Sequence, residues 1–302
     1  MMKGRFAPSP SGRMHLGNVY AALLSWISVR RQCGSWLLRI EDLDRQRCRR
    51  EYALQLMDDL RWLGLDWDEG GGESYFQSNR DAVYEEAFSR LEAQGLVYDC
   101  FCRRADLRVS SAPHASDGTS VYSGRCRNLT AAEYDRLLAE RVPAKRIRVD
   151  ERESFFFDGH YGEVRCNLLH DCGDFILRRA DGNFSYQLAV VVDDALMGVT
   201  EVVRGRDLLS STHQQRYLYE KLGFTPPAFF HFPLLVAAGG RRLSKRDRDI
   251  DMGFLREHFS PEEIVGHLMH LAGFIDRDEG LSLNEAVSLF RWEKVPYDDI
   301  IA

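Results

Sequence analysis

Apolar and polar residues along the chain fall into blocks that read as strand, helix, strand. Residues 4–7 and 36–41 (WLLRIE) have strand character, and the stretch between them, about 15–31, carries apolar residues at helical spacing. Helical patterns follow at about 49–63 and 79–95, the second expected to open behind Asn79 as N-cap and to close at Gly95. This alternation predicts an α/β fold with a parallel sheet. From 98 to 180 the pattern changes to clustered cysteines, the loop SSAPHASDGTS and strand-like runs at 146–149, 154–157 and 174–178, which reads as an insertion. Within it, Thr130 followed by Glu133 is a capping-box pattern that starts a short helix. Alternation resumes with SYQLAVVVDDAL, TEVVRG, a helical pattern from about 208 to 222 and the apolar run AFFHFPLLVA. Helices are expected near 253–258, 261–273 and 283–291. The expected organisation is thus a core first half at 1–97, an insertion at 98–180, a core second half at 181–250 and a C-terminal helical segment at 251–302.

Composition agrees with a folded protein: 302 residues, 44% hydrophobic and 28% charged, suit one large or two ordinary domains. No run approaches the ~20 apolar residues that span a bilayer, and MMKGRFAPSP lacks the apolar centre of a secretory signal, so a cytoplasmic location with no membrane partner is expected. In that setting seven cysteines point to metal binding before disulfides. A net charge of −6 argues against wholesale coating of nucleic acid, although the basic run RQRCRR at 45–50 suits phosphates locally. The cations are 35 Arg and only five Lys, which draws attention to Lys245.

Two segments carry candidate chemistry. RFAPSPSGRMHLGN, residues 5–18, sets a Pro/Ser/Gly turn between a strand and a helix beginning beside His15 and Gly17. Such a turn aims free backbone N–H groups and the positive helix end at an anion. Gly17 allows a nucleotide to approach the backbone, and the His15 imidazole is placed to donate to phosphate oxygens. A bare HxG is equally an ordinary turn with a surface histidine. RRLSKRDRD, residues 241–249, is a basic loop beyond an apolar strand; it suits a triphosphate, and alone it also suits a solvated surface.

The phrase FAPSPSGRMHLGN resembles the HIGH signature of glutamyl-tRNA synthetases, class I enzymes that adenylate amino acids on a Rossmann-type core. The resemblance gives His15, Gly17 and Asn18 as ATP-binding positions, with Asn18 where the family has histidine. RRLSK resembles the KMSKS loop, Lys245 matching its second lysine, by resemblance a further ATP-binding position, while Arg242 and Arg246 replace its first lysine and last serine. The two signatures, about 230 residues apart and in the family's order, strengthen one another. The resemblance implies a class I synthetase fold, with the parallel sheet split by a zinc-containing insertion. His15, Gly17 and Lys245 would be the catalytic residues, and ATP with Mg2+ a substrate. Glu41 and Arg204 end WLLRIE and TEVVRG, at strand ends where open α/β sheets bind ligands. An acidic partner suits a free α-amino group, and a guanidinium suits a side-chain carboxylate. By resemblance Arg5, Phe6, Ala7, Pro8, Ser9, Glu41, Tyr186 and Arg204 form an L-glutamate pocket.

Cys100, Cys102 and Cys126, three thiols within 27 residues, have zinc spacing. Chemistry alone favours His114 as fourth ligand, but YSGRC resembles the tyrosine-containing zinc site of shortened glutamyl synthetase paralogues, so one structural zinc on Cys100, Cys102, Tyr122 and Cys126 is expected. Cys33, Cys48, Cys166 and Cys172 are expected to be non-ligands. After Lys245 only 57 residues remain, too few for the large helical anticodon-binding region of a full glutamyl-tRNA synthetase. The closer resemblance is therefore to the glutamyl-queuosine tRNA(Asp) synthetases. It implies activation of glutamate without tRNA and transfer to queuosine in the anticodon loop of tRNA(Asp). Alternative readings are a glutamate-adenylating ligase with a small-molecule acceptor and a non-catalytic RNA-binding paralogue.

Overall fold

A computed structural model describes residues 2–103, 121–237 and 251–302. The first half runs β1 (Lys3–Phe6), α1 (Leu16–Arg31), β2 (Ser35–Leu38), α2 (Arg50–Trp62), β3 (Glu69–Gly70) and α3 (Asp81–Ala93). There follow β4 (Val97–Cys100), α4 (Ala131–Glu140), β5 (Ala144–Ile147), β6 (Glu153–Asp158), β7 (Gly162–Asn167) and β8 (Ile176–Arg178). The remainder is α5 (Tyr186–Leu196), β9 (Glu201–Gly205), α6 (Ser211–Leu222), β10 (Ala228–Phe232), β11 (Leu235–Val236), α7 (Met252–His258), α8 (Pro261–Leu271), α9 (Leu283–Leu289) and β12 (Ile300–Ile301).

β1, β2 and β3 form a parallel sheet, and β9 and β10 pair in parallel in a second one that continues through β6 to β7. The two sheets meet at a seam: Thr200 N–H donates to Lys3 O at 2.8 Å, and Lys3 N–H to Thr200 Oγ1 at 2.9 Å. β1 thus has β2 on one side and β9 on the other, so strand order reverses there, and open α/β sheets bind ligands at such a switch point. Both faces are covered, as parallel sheets require. Trp36, Leu38 and Val203 face a core shared with α1, α2 and the C-terminal helices; Leu37 and Val202 face one shared with α3, α5 and α6. The close fit of α1 rests on Gly4, where a Cβ would meet Val29 Cγ2 at 2.3 Å.

The segment read as an insertion divides. β4, β5 and β8 form a separate antiparallel sheet. The β6–β7 hairpin instead joins the edge of the core, with Phe229 of β10 in register with Asp158. α4 has the expected capping box, Thr130 Oγ1 receiving Glu133 N–H and Glu133 reaching back to Thr130 N–H. Asn79 is not an N-cap: α3 begins after Arg80, and the Asn79 amide is committed to Glu73. No described helix is long and apolar enough to cross a membrane.

Candidate active site

A cleft of about 520 Å³ opens at the carboxyl ends of β1 and β9. Arg5, Phe6, Ala7, Pro8, Ser9, His15, Asn18, Glu41, Tyr186 and Arg204 all line it, together with Arg13, Asp207 and others from the same turns. A neighbouring hollow of about 900 Å³ shares Ser9, Ser11, Glu41 and Tyr186 and extends to Asp44, Arg47, Arg179 and Asp181. The residues foreseen for the amino acid thus converge from both halves of the chain. Gly17 is not among the lining residues.

Beneath the cleft lie two buried arginines in opposite electrostatic settings. Arg39, fully buried, donates to Asp194 at 2.6 Å and to Glu41 at 3.1 Å, with Asp193 3.7 Å away. Burial opposes its charge, but these three carboxylates outweigh burial and hold its pKa well above the ordinary value. Arg204 instead donates to neutral acceptors: His231 Nε2 at 3.0 Å, Gln215 Oε1 at 2.8 Å and Thr212 Oγ1 at 2.8 Å. Burial lowers its pKa, with Arg5 adding to the fall while Tyr186 and Asp194 oppose it. A guanidinium remains charged in proteins, so Arg204 is a desolvated cation without a direct carboxylate partner among the described residues.

Glu41 supplies the acid that lines the cleft, with buried Asp194 close by. Burial raises the Glu41 pKa against the pull of Arg39 and Arg5. For Asp194 burial is also the largest influence, but Arg39 and Arg5 overcome it and lower the pKa. Arg5 Nε stands 3.5 Å from Asp194 Oδ1.

His15 is the residue before α1, and its backbone N–H donates to Asn18 Oδ1 at 3.1 Å. Asn18 therefore ties down the helix entry as an acidic capping-box residue does elsewhere. A Cβ on Gly17 would lie 3.1 Å from the His15 ring, so glycine leaves that ring its place. The chain after residue 250 returns to this turn. Asp251 forms an antiparallel bridge with His15, Met252 N–H donates to Met14 O at 2.9 Å, and buried Asp59 of α2 takes Arg256 at 2.8 Å and Arg13 at 3.4 Å. Lys245, Arg242 and Arg246 lie outside the described residues.

The thiol sulfurs of Cys100, Cys102 and Cys126 lie within 4.8 Å of one another. Tyr122 Oη is 3.5 Å from Cys100 Sγ and 3.9 Å from Cys102 Sγ, and receives the Cys126 N–H at 2.7 Å. Hydrogen bonding from Cys126, joined by Tyr122 and nearby Arg146, overcomes burial and draws the Cys100 thiol down to about 4. A converging set of soft sulfur donors fits zinc. His114 lies outside the described residues. Cys166 and Cys172 stand 4.0 Å from each other.

The buried polar shell went unforeseen: Arg39, Asp193, Asp194, Asp158 and His231. Its signal is charged or polar residues inside apolar runs, as in WLLRIE, VVVDDAL and AFFHFPLL, because such groups are buried only when partnered.

A doubly wound sheet with its cleft at the switch point, flanked by the His15 turn, is the arrangement of a class I synthetase catalytic domain. Residues 1–293 match the family model described as tRNA synthetases class I (E and Q), catalytic domain. The chain belongs to this family and is a ligase of the aminoacyl-tRNA synthetase type. It is 46% identical to a glutamyl-Q tRNA(Asp) synthetase of Symbiobacterium thermophilum, the match covering 99% of this chain and 95% of that one. It is 49% identical to the glutamyl-Q tRNA(Asp) synthetase of Nitratidesulfovibrio vulgaris over 91% and 87%. A crystal structure of a glutamate tRNA ligase from Elizabethkingia meningosepticum, in complex with its amino acid, superposes with a TM-score of 0.81 at 29% identity. It covers 97% of this chain, which spans 65% of that ligase.

Proposed function

We propose that the protein activates L-glutamate with ATP and Mg2+ in the cytoplasm and transfers the glutamyl group to queuosine in the anticodon loop of tRNA(Asp). The observation that carries the glutamate reading is Arg204, a buried cation at the floor of the cleft whose bonds among the described residues go to neutral acceptors. A ligand with a side-chain carboxylate offers a charge-assisted partner there. Glu41, across the same cleft, suits the α-amino group, with Arg5, Phe6, Ala7, Pro8, Ser9 and Tyr186 shaping the pocket between them. His15, Gly17 and Asn18 then lie on the ATP side. Asp251, bridged to His15, stands on that side as well.

In this reading the glutamate α-carboxylate attacks the α-phosphorus of ATP, pyrophosphate leaves, and a mixed anhydride forms. The protein positions the reactants and stabilises developing charge, with His15 and Lys245 at the phosphates. A hydroxyl of the acceptor base, entering through the hollow lined by Asp44 and Asp181, attacks the anhydride carbonyl and releases AMP. Zinc on Cys100, Cys102, Tyr122 and Cys126 would be structural, holding the β4 end to the chain beyond it.

The names of the relatives support the acceptor. Glutamate-dependent pyrophosphate exchange without RNA, followed by transfer of labelled glutamate to tRNA(Asp) with and without queuosine, tests both halves. Exchange without RNA and label only on queuosine-bearing tRNA(Asp) is the expected result. Exchange with no label on any tRNA would refute the acceptor, and no exchange would refute the activation step.

A further inference from the structure

The setting of Arg204 is imposed by two residues behind it. His231 is the register partner of Arg204 across β9 and β10, so both side chains leave the same face of the sheet. Its Nε2 accepts from Arg204 Nε at 3.0 Å, which requires that nitrogen to be unprotonated. The ring proton then sits on Nδ1, facing Asp158 Oδ2 at 2.5 Å. Both side chains are wholly buried. The other carboxylate oxygen, Asp158 Oδ1, receives three backbone N–H groups, from His160 at 3.0 Å, Tyr161 at 2.9 Å and His231 at 3.3 Å. Asp158 is therefore fixed in orientation, and it fixes the tautomer of His231.

Two alternatives show what this accomplishes. A carboxylate in direct contact with Arg204 would hold it but neutralise it, as Asp194 and Glu41 do for Arg39. An imidazole of the opposite tautomer would point N–H at N–H. The neutral ring with Nδ1 protonated orients the guanidinium and leaves its charge for an incoming anion.

We propose that Asp158 and His231 are positioning residues for amino-acid selection, acting through Arg204 by holding a single imidazole tautomer. This rests on the reading of Arg204 as the group that meets the glutamate side chain.

The near-isosteric Asp158→Asn is the decisive variant. Three N–H donors at Oδ1 force the amide oxygen to that side, so the amide NH2 faces His231 Nδ1. The ring proton must then move to Nε2, against Arg204. In pyrophosphate exchange with the full chain, the KM for glutamate should rise about tenfold or more, the scale of one misdirected buried bond to a charged group. The KM for ATP should stay unchanged, and the preference for glutamate over glutamine should narrow. Ring-nitrogen NMR of 15N-histidine protein should show the His231 proton moved from Nδ1 to Nε2, the resonance assigned with a His231 variant. His231→Phe, which keeps a flat ring but offers no acceptor, should give the same kinetic pattern and guards against misfolding of the first variant.

An unmoved ring proton in Asp158→Asn, or a normal glutamate KM in either variant, would overturn the proposal. Arg204→Gln separates the two levels. If it leaves the glutamate to glutamine ratio unchanged, the reading of Arg204 fails. If it collapses the ratio while Asp158→Asn and His231→Phe do not, only the positioning role fails.

Discussion

At the scale of single residues, the proposed reading makes selectivity depend on how Arg204 is solvated. Glutamine would place a neutral amide against a desolvated guanidinium, leaving charge unpaired at a cost of several kcal/mol. Arg204→Gln should sharply weaken glutamate activation and narrow its advantage over glutamine, while aspartate, too short to reach, stays poor in both proteins. Pyrophosphate exchange with the three amino acids checks this. Gly17 gives a second expectation, because activity and stability should part there. Gly17, the second residue of α1, takes no left-handed φ, so alanine there ordinarily stabilises by about 0.4–1 kcal/mol through the unfolded chain. The new methyl would nevertheless press on the His15 ring at 3.1 Å. Gly17→Ala should therefore keep or raise the melting temperature while lowering kcat by about ten- to a hundredfold. Unchanged exchange would show that the ring's place does not matter to the chemistry.

At the scale of elements, what the sequence reveals depends on how far apart the partners lie. The alternation of strands and helices, the capping box at Thr130 and the turn between β1 and α1 are written in contiguous residues, and each was legible. Arg5 of β1 and Glu41, three residues beyond the end of β2, were brought together in the sequence by resemblance, and both line the cleft. The start of α3 was misread because Asn79 finds a local competitor, Glu73, in the preceding turn. The placement of the β6–β7 hairpin could not be read, since the pairing of Asp158 with Phe229 is nonlocal and apolar alternation names no partner. The shell under the cleft is harder still: Gln77 meets Asp193 at 2.8 Å across 116 residues. The cysteine site is intermediate, its thiols being close in sequence but its fourth ligand chosen by resemblance. If one zinc is bound there, chelation should release about one equivalent. It should also speed amide exchange in β4, β5 and the turn at Cys126 while leaving β1 and β9 protected. Metal analysis finding no zinc would reject the assignment.

At the scale of the whole molecule, the buried imidazole under the cleft couples stability to acidity. Burial is the chief cause that brings the His231 pKa from 6.5 to about 4, assisted by Arg204 and opposed by Asp158. Between those values the unfolded chain binds the proton and the folded one does not, so stability rises with pH there. The contribution is fully present above pH 6.5 and is lost as pH falls through 4. Its size is on the order of 3 kcal/mol. Denaturant unfolding between pH 7 and 4 should show this fall, reduced in His231→Phe. The seam between the two sheets has a consequence of its own. Strand pairing there narrows to the Thr200–Lys3 stitches, and the cleft straddles it, with Arg5 and Glu41 on one bank and Tyr186 and Arg204 on the other. In the proposed mode of binding, an amino acid seated across it would work as a rivet between two plates. Saturating glutamate, at about a hundred times its dissociation constant, would add about 2.7 kcal/mol to the work of separating them. A force applied between the two halves should accordingly meet a ligand-dependent resistance at the seam, which a force across β9 and β10 alone would not feel.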